Sequence, residues 1–181
     1  VSIVENPFGG LWPVESAEGI LDETIVGLRA LIEAGQDRRL DLADVLGTEG
    51  IMRGTANDVD AGGALMHEAI ALYEELGMDE TGDVADVLNS MAGMIARTGN
   101  FKDAVPIYER AIEVYIKSWG ELSMRTATVR ANYAGCLDDL GRLDEAAVQL
   151  EMAFDTQKAL SGSHATPGLA HASKLLGSFY E

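Results

Sequence analysis

The sequence predicts an all-α protein, a solenoid of stacked helical hairpins. Three observations carry this. Long segments rich in Ala, Leu, Glu and Met have apolar residues three and four apart, no stretch sustains strand alternation, and the chain repeats itself every forty-two residues. The repeat is plainest where DLADVL, Asp41 to Leu46, returns as DVADVL, Asp83 to Leu88.

The helical period is clear in the stripe Ala104, Ile107, Tyr108, Ala111, Ile112 and Tyr115, from which Lys102, Glu109, Arg110, Glu113 and Lys117 mostly turn away. Punctuation by Gly and Pro then divides the chain into eight helices, near 16–34, 41–55, 60–76, 83–97, 101–118, 124–138, 143–160 and 166–180. Residues 1–15 are expected to be irregular. Shifting the sequence by forty-two aligns Ala85, Ala92, Gly99, Ala104 and Ala111 with Ala127, Ala134, Gly141, Ala146 and Ala153. Met52, Ala69, Ile70 and Tyr73 likewise meet Met94, Ala111, Ile112 and Tyr115. Small residues at such positions let helix backbones approach closely, and Gly99 and Gly141 fall where a helix must end in a left-handed cap. Each unit is therefore a hairpin that buries its apolar face by stacking on neighbours.

Composition narrows the function. The chain's 181 residues suit one ordinary domain, with hydrophobic and charged fractions of 47% and 24% typical of a folded globular protein. Thirty acidic against thirteen basic residues give a net charge of −17, which argues against nucleic acid as a partner and fits a basic partner or simply a well-solvated surface. No apolar run approaches the roughly eighteen residues of a membrane span, and the first residues, VSIVENPFGG, do not read as a signal peptide. The lone cysteine, Cys136, forms no internal disulfide, consistent with a cytoplasmic setting. The chain begins without Met, which points to a processed protein or an excised segment.

Catalytic patterns fail on inspection. His67-Glu68 opens like a zinc-protease helix, but Ala71 stands where the second histidine belongs. His164 and His171 lack an evident third ligand, no phosphate loop or nucleophile elbow occurs, and Asp79, Glu80 and Asp83 are expected to serve a helix N-terminus. No cofactor or metal is called for, and the expectation is a non-enzyme.

The stretch LNSMAGMIARTGNFKDAVPIYERAIEVYIKSWG, Leu88 to Gly120, resembles the long tetratricopeptide repeat of the kinesin light chain type. The resemblance rests on Leu88, Asn89, Met91, Ala92 and Ile95, then Gly99, Phe101 and Ala104, then Pro106, Tyr108, Glu109, Arg110 and Ala111. It weakens over residues 131–162, and further over 41–77. There Asn57 replaces the turn glycine, Gly62 replaces an alanine, and Glu49 and Arg53, four apart, occupy apolar positions.

What the resemblance implies is a right-handed solenoid over 16–181, with full repeats near 41–77, 83–120 and 124–162 and half-repeats at 16–35 and 166–181. It also implies a protein-interaction scaffold whose concave groove, lined by the first helix of each unit, holds a peptide or partner domain. By alignment the groove carries Asp44, Asp86, Asn89, Arg97, Asn132, Asp138 and Lys174. Asn89 and Asn132 suit the backbone of an extended peptide, and the aspartates favour a basic or polar partner. Gly93, Gly135 and Gly177 either leave room for a ligand or serve close helix packing. An alternative is the sensory or autoregulatory part of a larger signalling protein, and apolar Leu175, Leu176, Phe179 and Tyr180 suggest self-association through terminal helices.

Overall fold

The computed structural model describes residues 3–5 and 11–161. They divide into two compact units between Gly77 and Met78. Seven α-helices account for most of the described residues, joined by short turns.

The first unit begins with β1 (Ile3–Glu5) and β2 (Leu11–Pro13), an antiparallel pair with Val4 opposite Trp12. Sequence had suggested an irregular segment over 1–15, and this ladder corrects it. Three-residue strands are too short to show alternation, although Ile, Val and Trp favour extended backbone. α1 (Val14–Glu33) follows and packs on the hairpin of α2 (Arg39–Thr55) and α3 (Val59–Glu75).

In the second unit, α4 (Gly82–Arg97) pairs with α5 (Phe101–Trp119), and α6 (Met124–Asp139) pairs with α7 (Leu143–Ser161). The helix boundaries lie within two residues of those expected, apart from the eighth helix, 166–180, which falls outside the described residues. The packing follows the forty-two-residue repeat. Ala69, Ala111 and Ala153 are fully buried on the second helices of their hairpins, and Ala43, Ala85 and Ala127 on the first. Larger side chains such as Met66, Leu46, Val84, Leu137 and Leu150 fill the space between, each contributing on the order of 1.5–3 kcal/mol through burial.

Departures in the first hairpin have physical counterparts. Where the second unit sets Ala92 and Ala104 between its helices, α2 and α3 place Gly50 and Gly62. A Cβ on Gly62 would lie 2.7 Å from the Gly54 nitrogen, so the two backbones themselves touch. The hairpin turns require a left-handed residue, supplied by Gly99 (φ 84°) and Gly141 (φ 73°) as expected, and by Asn57 (φ 71°) in the first hairpin. Asparagine is among the few non-glycine residues that tolerate this conformation.

Glu49 and Arg53 form the predicted pair, with Nε of Arg53 donating to Oε1 of Glu49 at 2.7 Å. Arg53 also reaches Asp22 on α1, tying α1 to the hairpin. Glu80, expected to serve the start of α4, instead pairs with Lys117 near the end of α5.

Candidate functional site

The second unit holds a crevice between α4 and α6, with side chains of α5 beneath it. One cavity of about 690 Å³ opens toward the C-terminal halves of α4 and α6. Gly93 and Arg97 line it from α4, Asn132, Gly135 and Asp139 from α6, and Phe101 and Tyr108 from α5. Nearer the helix starts lies a smaller cavity of about 280 Å³, bounded by Asp86, Asn89, Tyr115, Met124, Arg125 and Thr128. The helical period places the α4 and α6 residues on facing stripes: Asp86, Asn89, Gly93 and Arg97 advance three or four at a time, as do Thr128, Asn132, Gly135 and Asp139.

Between the cavities Nδ2 of Asn132 donates to Oδ1 of Asn89 at 3.1 Å. This bond crosses the crevice from α6 to α4. It engages one end of each amide, and Nδ2 of Asn89 and Oδ1 of Asn132 retain donor and acceptor capacity.

Asp86 is held from two sides. The hydroxyl of Tyr115 donates to Oδ1 at 2.5 Å, and Nη1 of Arg125 donates to Oδ1 and Oδ2 at 2.7 and 2.6 Å. Arg125 also lies 5.1 Å from the centroid of the Trp119 ring, which packs over Gly82. Burial, with the Asp86 carboxylate adding to it, raises the Tyr115 hydroxyl well above the usual phenol range, so it stays a donor. The same arrangement appears in the first unit, where the Tyr73 hydroxyl donates to Oδ1 of Asp44 at 2.6 Å. In the last hairpin the equivalent positions are Thr128 and Gln157, and no Asp–Tyr pair forms there.

Of the residues expected in the groove, Asp86, Asn89, Arg97 and Asn132 border the two cavities. Asp44 belongs to the first unit, where it receives Tyr73. Asp138 is exposed on α6, and its neighbour Asp139 lines the larger cavity instead. Lys174 and Gly177 lie outside the described residues, as do Leu175, Leu176, Phe179 and Tyr180.

Sequence reasoning assigned the tyrosines of α5 to the core and missed that their hydroxyls reach the crevice. The recurrence of Asp44 with Tyr73 and of Asp86 with Tyr115, each pair twenty-nine apart, was the available signal. Tyr108 is nine-tenths buried or more, and burial pushes its hydroxyl up to about 12. Cys136 is likewise buried, its Sγ donating to the Phe101 carbonyl at 3.4 Å. Burial raises this thiol and so disfavours the reactive thiolate.

The tetratricopeptide repeat family profile matches residues 83–159, the span of the two hairpins around the crevice. Over those residues the chain is similar to that family. The chain is similar in structure to BtubC (BKLC) from P. vanneervenii, at 24% identity and a TM-score of 0.76, over 91% of this chain and 67% of that one. It is also similar to a Podosopora anserina putative kinesin light chain of nearly identical TPR-like repeats, at 14% identity and TM-score 0.67, covering 80% and 68% of the two chains.

A third likeness, to the apo form of RapI, has 14% identity and TM-score 0.72 over 92% of this chain. It spans 45% of RapI, less than half its length. No curated protein sequence matches the chain. At these identities the solved structures speak for fold, the all-α helical-repeat solenoid class. Tetratricopeptide repeats in general mediate protein–protein interaction and are non-catalytic. No helix among the described residues is long and apolar enough to cross a membrane.

Proposed function

We propose that the protein is a non-catalytic interaction scaffold that binds an extended peptide segment of a partner in the α4–α6 crevice. The observation that carries this is Gly135. A Cβ built there meets nothing within 4 Å, so the glycine does not serve helix packing, yet it stands inside the C-terminal half of α6 facing the larger cavity. Glycine inside a helix costs roughly 1 kcal/mol relative to alanine, a cost with no packing return here. Space for a ligand backbone against the helix is a physical reason to keep it. Gly93 supports the same reading more weakly, since a Cβ there would come within 3.4 Å of the Tyr108 hydroxyl.

Asp86 is neutralised by Arg125, so a preference for basic partners would rest on Asp139 and the surplus of carboxylates rather than on Asp86. Arg97 on the opposite wall counters that bias.

The test is selection of peptides from a displayed random library on the wild-type protein, followed by measurement on Gly135→Leu. The variant should fold with undiminished helicity and bind the selected peptides at least tenfold more weakly. Selected peptides that bind both proteins equally would place recognition elsewhere.

A further inference from the structure

Building on that reading, we infer that the crevice recognises two side chains four residues apart on one extended segment: a bulky one in the larger cavity and a small polar one in the smaller, with a small residue between them over the Asn89–Asn132 bond. The spacing comes from the helices. The α4 residues at the two cavities, Asp86 and Asn89 against Gly93 to Arg97, centre roughly seven to eight positions apart, which at about 1.5 Å per residue is on the order of 11 Å. On α6, Met124 to Thr128 against Ala131 to Asp139 gives about 13 Å by the same measure.

An extended chain advances about 3.3 Å per residue and alternates its side chains. Two residues cover about 7 Å, too short, and three would turn the second side chain away from the crevice. Four cover about 13 Å and return it to the same face.

Each site sets its own chemistry. The larger volume, with Phe101 and Tyr108 below and Arg97 and Asp139 at its sides, admits a bulky, partly apolar side chain. The smaller is ringed by the Tyr115 hydroxyl, the Asp86–Arg125 pair, Thr128 and the side chain of Met124, and suits a short side chain that carries a hydroxyl or amide. The residue midway points down onto the asparagine pair and so must be small. Its flanking backbone can accept from Nδ2 of Asn89 on the α4 wall and donate to Oδ1 of Asn132 on the α6 wall.

The experiment is a double-mutant cycle with peptides selected on the wild-type protein. Thr128 is exposed, so Thr128→Leu fills the smaller cavity without burying a new polar group; circular dichroism confirms that it folds. Binding should fall about tenfold. The fall should vanish for a peptide whose residue four places from its bulky anchor is changed to glycine, and persist when any other position is changed. Purely additive effects at every position would overturn the second anchor while leaving the scaffold reading intact, since loss of binding on Gly135→Leu tests that reading separately. Absence of any selected peptide would overturn both.

Discussion

At the scale of single residues, glycines that look alike in sequence have opposite roles, and substitution separates them. Gly62 lies where a Cβ would press within 2.8 Å of backbone atoms on α2, so Gly62→Ala should overpack the crossing and cost on the order of 1–3 kcal/mol. Gly135→Ala meets no neighbour and should instead stabilise by roughly 1 kcal/mol. Chemical denaturation of the two variants checks the pair, and equal shifts would contradict the geometry. Glu49 poses a different question, because it is fully buried in a position the repeat elsewhere gives to Met91 and Tyr133. Burial raises its carboxyl above the ordinary value of 4.5 against the pull of the Arg53 hydrogen bond, and the nearby Asp22 charge adds to the rise. Arg53 in turn faces Asp22 from α1 and Asp58 from the turn before α3. A carboxyl raised in the folded state binds its proton more tightly there than in the unfolded chain. Its contribution to stability is therefore complete below the unfolded value and is lost as pH rises through the folded one. Glu49→Gln should remove this component: measured by thermal melting, the stability of wild type relative to the variant should fall as pH rises from 4.5 upward. A difference independent of pH would show that Glu49 titrates as an ordinary carboxyl.

At the scale of elements, the hairpins are locked by tyrosine hydroxyls as well as by apolar contact. Tyr73 and Tyr115 each project from the second helix of a hairpin to an aspartate on the first. Removing the hydroxyl by Tyr73→Phe or Tyr115→Phe should cost about 0.5–1.5 kcal/mol, the usual net worth of such a bond. Tyr115→Phe leaves Asp86 its arginine, so the two losses report the bond with and without a second partner. Urea unfolding of both variants measures this, and unchanged midpoints would mean that the hydroxyls hydrate equally well when the chain unfolds. These elements were largely legible in advance, because apolar spacing marks helices and a left-handed glycine marks their ends. Gly99 and Gly141 delimit helices at that level, and even Asn57 could be located from the alignment. The β1–β2 ladder could not, since pairing over three residues depends on partners rather than on pattern. At the crevice Asn89 and Asn132 stand on the facing stripes of α4 and α6. The alignment did not reveal their mutual bond, because they stand forty-three residues apart and the repeat of forty-two matches Asn89 with Ala131. Contact across neighbouring helices follows the offset of their axes, which a sequence period does not contain.

At the scale of the whole molecule, charge is the property that composition made plain and local structure only partly offsets. Arg29, Arg38, Arg39, Arg53, Lys117, Arg125, Arg130 and Arg142 each lie against a carboxylate. Most of these pairs are substantially exposed, and such pairs contribute only about 0–1 kcal/mol apiece. With 30 acidic residues against 13 basic ones, the remaining carboxylates repel one another across a small fold. Salt acts on both terms, weakening the pairs and screening the repulsion. The pairs operate over contact distances and are screened modestly, whereas repulsion among dispersed carboxylates acts over lengths comparable to the Debye length. That length falls from about 30 Å at 0.01 M to about 8 Å at 0.15 M ionic strength. Screening of repulsion should therefore dominate. The thermal midpoint at neutral pH is expected to rise as sodium chloride increases through that range, by an amount on the order of 1 kcal/mol in stability. Circular dichroism at 222 nm, an observable of helices in general, follows the transition, and a midpoint that fell with salt would mean that the arginine pairs outweigh the surplus charge.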